Sequence, residues 1–117
     1  MADVLGATTR LIKDLELALS FVDAHRSPNC QMSDAKEFLS AHIAKLRAGD
    51  IEAANAVAGY FASTSDWDDI GSEDAKNQCA IGAQVFDSVR YLRWHQERQA
   101  FNDRWLARFR KVFAFFK

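Results

Sequence analysis

The residues with chemistry to offer are three histidines, two cysteines and one cluster of carboxylates. His25, His42 and His95 stand far apart, with no HExxH and no second ligand at metal-binding spacing. His42 falls on an apolar helical stripe, which suits a core-edge imidazole bonded to backbone. His25 lies near a helix end and His95 sits between Trp94 and Gln96. Neither has a nucleophile beside it. Cys30 and Cys79 match no zinc or redox spacing, so two free, mostly buried thiols are expected. No GxSxG, P-loop or GxGxxG occurs. No catalytic residue, metal or cofactor is expected, and an enzyme is not the expected class.

The carboxylates are Asp66, Asp68, Asp69, Glu73 and Asp74, with Trp67 among them. An EF-hand loop starting at Asp66 would need an oxygen ligand at its position 5 and a bidentate Glu at position 12. Those places hold Ile70 and Asn77, so calcium is not the expected occupant. Acidic residues at this point suit the start of a helix, whose free N–H groups and dipole favour negative charge. They also suit a protein-facing patch. Trp67 is then either a plug over the core or an exposed anchor, tryptophan being enriched at binding hot spots.

Helices must position these groups. The chain has 117 residues with one proline and five glycines, which favours long helices. Val4, Thr8, Leu11, Leu15, Ala18 and Val22 make a helical stripe over residues 3–25, ended by Pro28. A second helix opens near Ser33–Asp34 and buries Phe38, Leu39, Ile43 and Leu46. Gly49 suits a left-handed C′ position, and Asp50 is placed to cap the next helix. Residues 34–48 and 51–62 should thus form an αα-hairpin. Residues 63–73 read as the main loop. A long pattern runs from Ala75 to Phe116, with Tyr91, Trp94, Phe101, Trp105, Phe109, Val112 and Phe116 sharing a side. That stripe is expected to be core. One straight helix there would measure roughly 65 Å, so a bend or break is expected near Gln99–Asp103. The expected architecture is all-α: a bundle of four to five helices forming a single α-helical domain over residues 1–117.

Charge is divided along the chain. Residues 1–85 carry 7 basic and 13 acidic side chains; residues 86–117 carry 8 basic and 3 acidic. The overall charge of −1 gives no general pull toward nucleic acid. Basic residues interleaved with aromatics, here Arg104, Arg108, Arg110 and Lys111, are a motif of nucleic-acid and membrane binders; neither partner is the expected one. The first 20 residues carry too many charges for a signal peptide, and no apolar run reaches membrane-spanning length, so a cytoplasmic location is expected.

Residues 46–70 resemble a group of small bacterial helical proteins. Those proteins carry a helix ending in Gly-Asp, a short helix, then a run like Phe-Gly-Ser-Met-Gly-Ser-Leu-Asn-Asp-Leu. Here Gly49-Asp50 is followed by Phe61-Ala62-Ser63-Thr64-Ser65-Asp66-Trp67-Asp68-Asp69-Ile70. Phe61, Ser63, Asp69 and Ile70 match, Asp68 stands for the Asn, and Ser65-Asp66 replaces the Gly-Ser core. Such proteins look like immunity proteins encoded beside antibacterial toxins. The resemblance implies a small cytosolic immunity protein that binds and neutralises a bacterial toxin. The partner-binding residues would be Asp66, Trp67, Asp68, Asp69, Glu73 and Asp74, facing a basic toxin domain. The alternative expectation is a helical adaptor or homodimer using the Phe-rich C-terminal helix.

Overall fold

The computed structural model describes residues 2–24, 30–62, 67 and 74–115. Among them are four helices: α1 (Ala2–Ala24), α2 (Cys30–Arg47), α3 (Ala53–Tyr60) and α4 (Ala75–Phe115). The all-α expectation holds, with four helices. The loop expected over residues 63–73 falls outside the described residues except for Trp67.

α1 is the centre of the packing and contacts both α2 and α4. Its inward face is Ala7, Leu11, Leu15, Ala18 and Val22, all buried, as their three-and-four spacing requires. Thr8 satisfies its hydroxyl within the helix by donating to the Val4 carbonyl at 2.8 Å. α2 answers with Ala35, Leu39, Ile43 and Leu46. On its flank Phe38 stacks between His42 and Tyr60, at 3.9 Å and 4.1 Å between ring centroids. His42 Nδ1 lies 2.8 Å from the Phe38 carbonyl, the backbone partner expected of it.

α2 stops at Gly49 for a backbone reason. Gly49 has φ +90°. The N–H of Gly49 donates to the Leu46 carbonyl at 3.1 Å, and that of Asp50 to Lys45 at 2.9 Å. This pair of bonds is the Schellman arrangement, which needs a left-handed residue at C′. Asp50 behaves differently from expectation. Glu52 holds the N-cap position without a side-chain cap bond. Asp50 instead accepts from the Ala53 N–H through its own carbonyl at 3.2 Å. The short turn at 51–52 is why α3 begins two residues later than expected. Ala53, Ala54, Val57 and Ala58 are its buried residues, and three alanines in four allow close approach.

α4 corrects the sequence reading most. It is one unbroken helix of 41 residues, about 60 Å long. There is no break at Gln99–Asp103: those residues include neither Gly nor Pro, and all but Gln99 are exposed. The principal extents are 70 × 24 × 18 Å, with a radius of gyration of 18.2 Å. A compact chain of this length would have about 13 Å. The excess comes from the C-terminal part of α4, which runs past the bundle as an arm.

Asp14 ties α1 to α4 inside the bundle. It is buried, and accepts from Gln84 Nε2 at 2.8 Å and from the hydroxyl of Ser88. Ser88 has no exposed surface, so removing the carboxylate strands a buried donor. Asp14→Ala should cost about 1–3 kcal/mol. In a double-mutant cycle with Ser88→Ala, urea unfolding should give a loss smaller than the sum of the single changes; strict additivity would show that the two groups do not interact.

Gly49→Ala should lower stability by about 1–2 kcal/mol, since a Cβ disfavours that φ. Gly6→Ala, on the exposed side of α1 with open space at its Cβ, should be neutral or gain about 1 kcal/mol. Equal effects at the two sites would overturn this account of the turn.

Candidate interaction surface

The start of α4 is where the acidic cluster meets the fold. Asp74 is its N-cap: the Asn77 N–H reaches Asp74 Oδ1 at 3.3 Å, and Asn77 Nδ2 donates to Oδ2 at 2.6 Å. One predicted partner-binding carboxylate therefore caps a helix. Asp66, Asp68, Asp69 and Glu73 lie outside the described residues.

Trp67 is the plug and not the anchor. It is 1% exposed and belongs to the core. Its indole Nε1–H donates to the Gln78 carbonyl at 2.8 Å, and Gln78 Nε2 donates back to the Trp67 carbonyl at 2.7 Å. The ring packs against Phe61 and Phe21, at 4.9 Å and 6.0 Å. It closes over Gly82, where an added Cβ would stand 2.9 Å from Trp67 Cδ1. A tryptophan 1% exposed, with its N–H bonded inside the protein, does not project from the surface as an anchor. Of the expected partner-binding residues, Trp67 thus lies in the core and Asp74 caps α4.

The exposed counterpart is on α4. The side turned to the bundle carries Gln78, Val85, Ser88, Val89 and Leu92, all buried, with Ile81 packed against them. At 3.6 residues per turn, the aromatic stripe lies about 150° around the helix from this face. Tyr91, Trp94, Phe101, Trp105, Phe109 and Val112 are accordingly all exposed, with Trp94 at 52%, Phe101 at 60% and Trp105 at 54%. The stripe read as core is solvent-facing, because the true core face was a second, less aromatic stripe. After Leu92 the bundle-facing side turns polar with Gln96, Gln99 and Asp103. From Ala100 to Val112 every residue is exposed.

The surface is ordered by its own contacts. Trp105 and Phe109 stack at 5.2 Å with 16° between planes. The Arg98 guanidinium lies over Trp94 at 5.1 Å, and Arg10 from α1 over Tyr91 at 4.9 Å. His95 meets both Tyr91 and Trp94 edge-on. Arg93 donates to Asn55 Oδ1 at 3.0 Å, tying this level of α4 to α3. Beside the first half of α4 an open apolar recess of about 470 Å³ is lined by Phe61, Trp67, Cys79, Gly82, Ala83 and Phe86. Cys79 is free and exposed at its edge, where a buried thiol was expected.

Among the described residues no group of His, Cys, Asp or Glu is arranged to hold a metal ion. No described helix is long and apolar enough to cross a membrane. No protein family, curated protein or solved structure matches the chain.

The fit of Trp67 over Gly82 predicts a steep local penalty. Gly82→Ala should destabilise by about 1–3 kcal/mol through overpacking, although alanine is the better helix former. Trp67→Ala should cost about 3–5 kcal/mol, whereas Trp105→Ala on the arm should shift stability by less than about 0.5 kcal/mol in the isolated chain. Thermal unfolding at low protein concentration reads all three; a large loss at Trp105 would place that ring in the core.

Proposed function

We propose that the chain is a helical protein-interaction module whose working surface is the aromatic side of α4. The observation that carries this is the row of large apolar side chains from Tyr91 to Val112, turned away from the bundle on a helix that outruns it. Monomeric proteins rarely leave a contiguous apolar patch beyond a few hundred Å² uncovered. Helix-in-groove and helix-on-helix contacts read this pattern of anchors at three- and four-residue spacing. Trp, Tyr and Arg are the residues most enriched at interface hot spots, and they alternate here.

The basic residues of the arm do not favour nucleic acid or lipid over protein. Arg104, Arg108 and Lys111 share one flank of the stripe. Arg110 lies on the far side of the helix with Asp103, roughly 160° from Arg108. A helix lying in a membrane interface sets its whole polar face, basic on both flanks, against one apolar face. Here one flank is basic and the other carries Asn102 and Leu106. The toxin-neutralising reading asked the segment 66–74 to present Trp67 among its carboxylates. With Trp67 inside, that reading retains the carboxylates alone.

A photo-crosslinking side chain placed at Phe101 or Trp105 tests the module in the cell that makes it. Both positions should yield one defined protein adduct, identifiable by mass. The same probe at Asp103 or Arg110, on the polar side, should not. Equal backgrounds from the two sides of α4 would overturn the proposal.

A further inference from the structure

Resting on that reading of α4, we infer that the partner is a second copy of this chain, bound antiparallel along α4. The buried and aromatic sides of the helix are nearly opposed. Two copies can therefore meet stripe to stripe with their bundles on the outside. The charges choose the direction. In a pairing centred on the arms, the flank with Arg104 and Arg108 would face the same flank of the other copy. Moving the two-fold axis back to the level of Leu92–Arg93 parts Arg104 and Arg108 from their counterparts.

In this register Asp87, exposed on the stripe face one turn before Tyr91, comes opposite the partner's Arg98. Two-fold symmetry makes the same pair twice. Tyr91 comes level with the partner's Trp94. The arm then lies along the first half of the partner's α4, where the same face carries Lys76, Ala80 and Ala83, all exposed. Small residues there leave room for large ones: the partner's Trp105 falls at the level of Ala80. The partner's Phe101 falls at the level of Gln84, beside the recess between Ala83, Phe86, Phe61 and Trp67. The basic flank of the arm approaches the body of the other molecule, and residues 1–85 carry 13 acidic and 7 basic side chains. Opposite net charge on the two surfaces steers association and fixes orientation.

The area is sufficient. A fully buried aromatic side chain covers about 150–250 Å². Half of that from each of the five exposed rings, with Ala80, Ala83, Asp87 and Arg98 between them, gives roughly 600 Å² per copy. About 1,200 Å² in total is the lower end of stable interfaces.

Sedimentation of the full chain decides the matter. At roughly 100 µM, above the micromolar dissociation constants such an interface supports, wild type should sediment at twice its 13.2 kDa. Trp105→Glu should be monomeric, with the bundle's unfolding midpoint equal to that of wild type at low protein concentration. Asp87→Arg should weaken the dimer about tenfold by setting like charges together twice, and Asp87→Arg with Arg98→Asp should recover it to within about threefold. A wild-type monomer would overturn the homodimer, while a crosslinked protein of another kind would leave the interaction module standing. A dimer indifferent to Trp105→Glu would overturn the use of this face. Loss at Asp87→Arg without recovery in the double variant would overturn the antiparallel register.

Discussion

A helix can turn only one side toward a bundle, and α4 carries apolar residues on two; the rest of the molecule follows from which side is taken. The bundle takes the side of Val85, Val89 and Leu92, where side chains are compact enough for α1 and α3 to come close. Backbone hydrogen bonding then fixes the direction of everything downstream. With neither Gly nor Pro from Ala83 to Phe115, the helix has no cheap place to stop or turn. It therefore leaves the bundle when its inward stripe ends at Leu92, carrying the larger aromatic stripe on its other side into solvent.

Two polar devices hold that choice in place. Asp14 on α1 binds Gln84 and Ser88, which fixes the rotation of α4 about its own axis as well as its distance. A buried carboxylate with directional partners specifies one rotation in a way that a set of valines does not. Trp67 fixes the other flank, because its reciprocal bonds with Gln78 and its contact with Gly82 require the Gly82 side of α4 to face it. Together they exclude the alternative in which α4 rolls over and buries its tryptophans. The aromatic surface is thus exposed by the same contacts that make the fold.

Local features were legible in the sequence where one residue's backbone preference decides the outcome. Gly49 marked the end of α2 because only a left-handed residue completes its pair of terminal bonds, and the stripe of α1 marked its buried face because nothing competed with it. Legibility failed where a tertiary choice intervened. Periodicity showed that Tyr91, Trp94, Phe101, Trp105 and Phe109 share a side, but aromatic size drew the core assignment to them. A comparison of the two sides of α4 would have found the signal: the Val85–Leu92 stripe turns polar past Leu92, at Gln96, Gln99 and Asp103, so the two stripes serve different neighbours. The expected break at 99–103 came from supposing that the whole helix must fit one compact body. Trp67 stood in the sequence as plug or anchor, and Gly82 decides for the plug, a pairing across 15 positions that no local pattern announces.

The arm also has a thermodynamic position distinct from the bundle. Isolated helices of fewer than about 12–15 residues are marginal in water, because helix nucleation is costly and most helical stability comes from packing. Residues 100–115 continue an existing helix, so they avoid nucleation. Ala100 to Val112 gain no burial for it, and Phe, Trp, Asn and Asp are middling helix formers. What holds the arm in the isolated chain is propagation and ring stacking such as Trp105 on Phe109. A partner on the aromatic side would supply the burial that the bundle withholds, so binding and the helicity of the arm would be coupled through mass action. The bundle, held by Asp14 and Trp67, would not need the partner. One chain thus combines a body that is stable by its own packing with an arm whose order depends on what it meets.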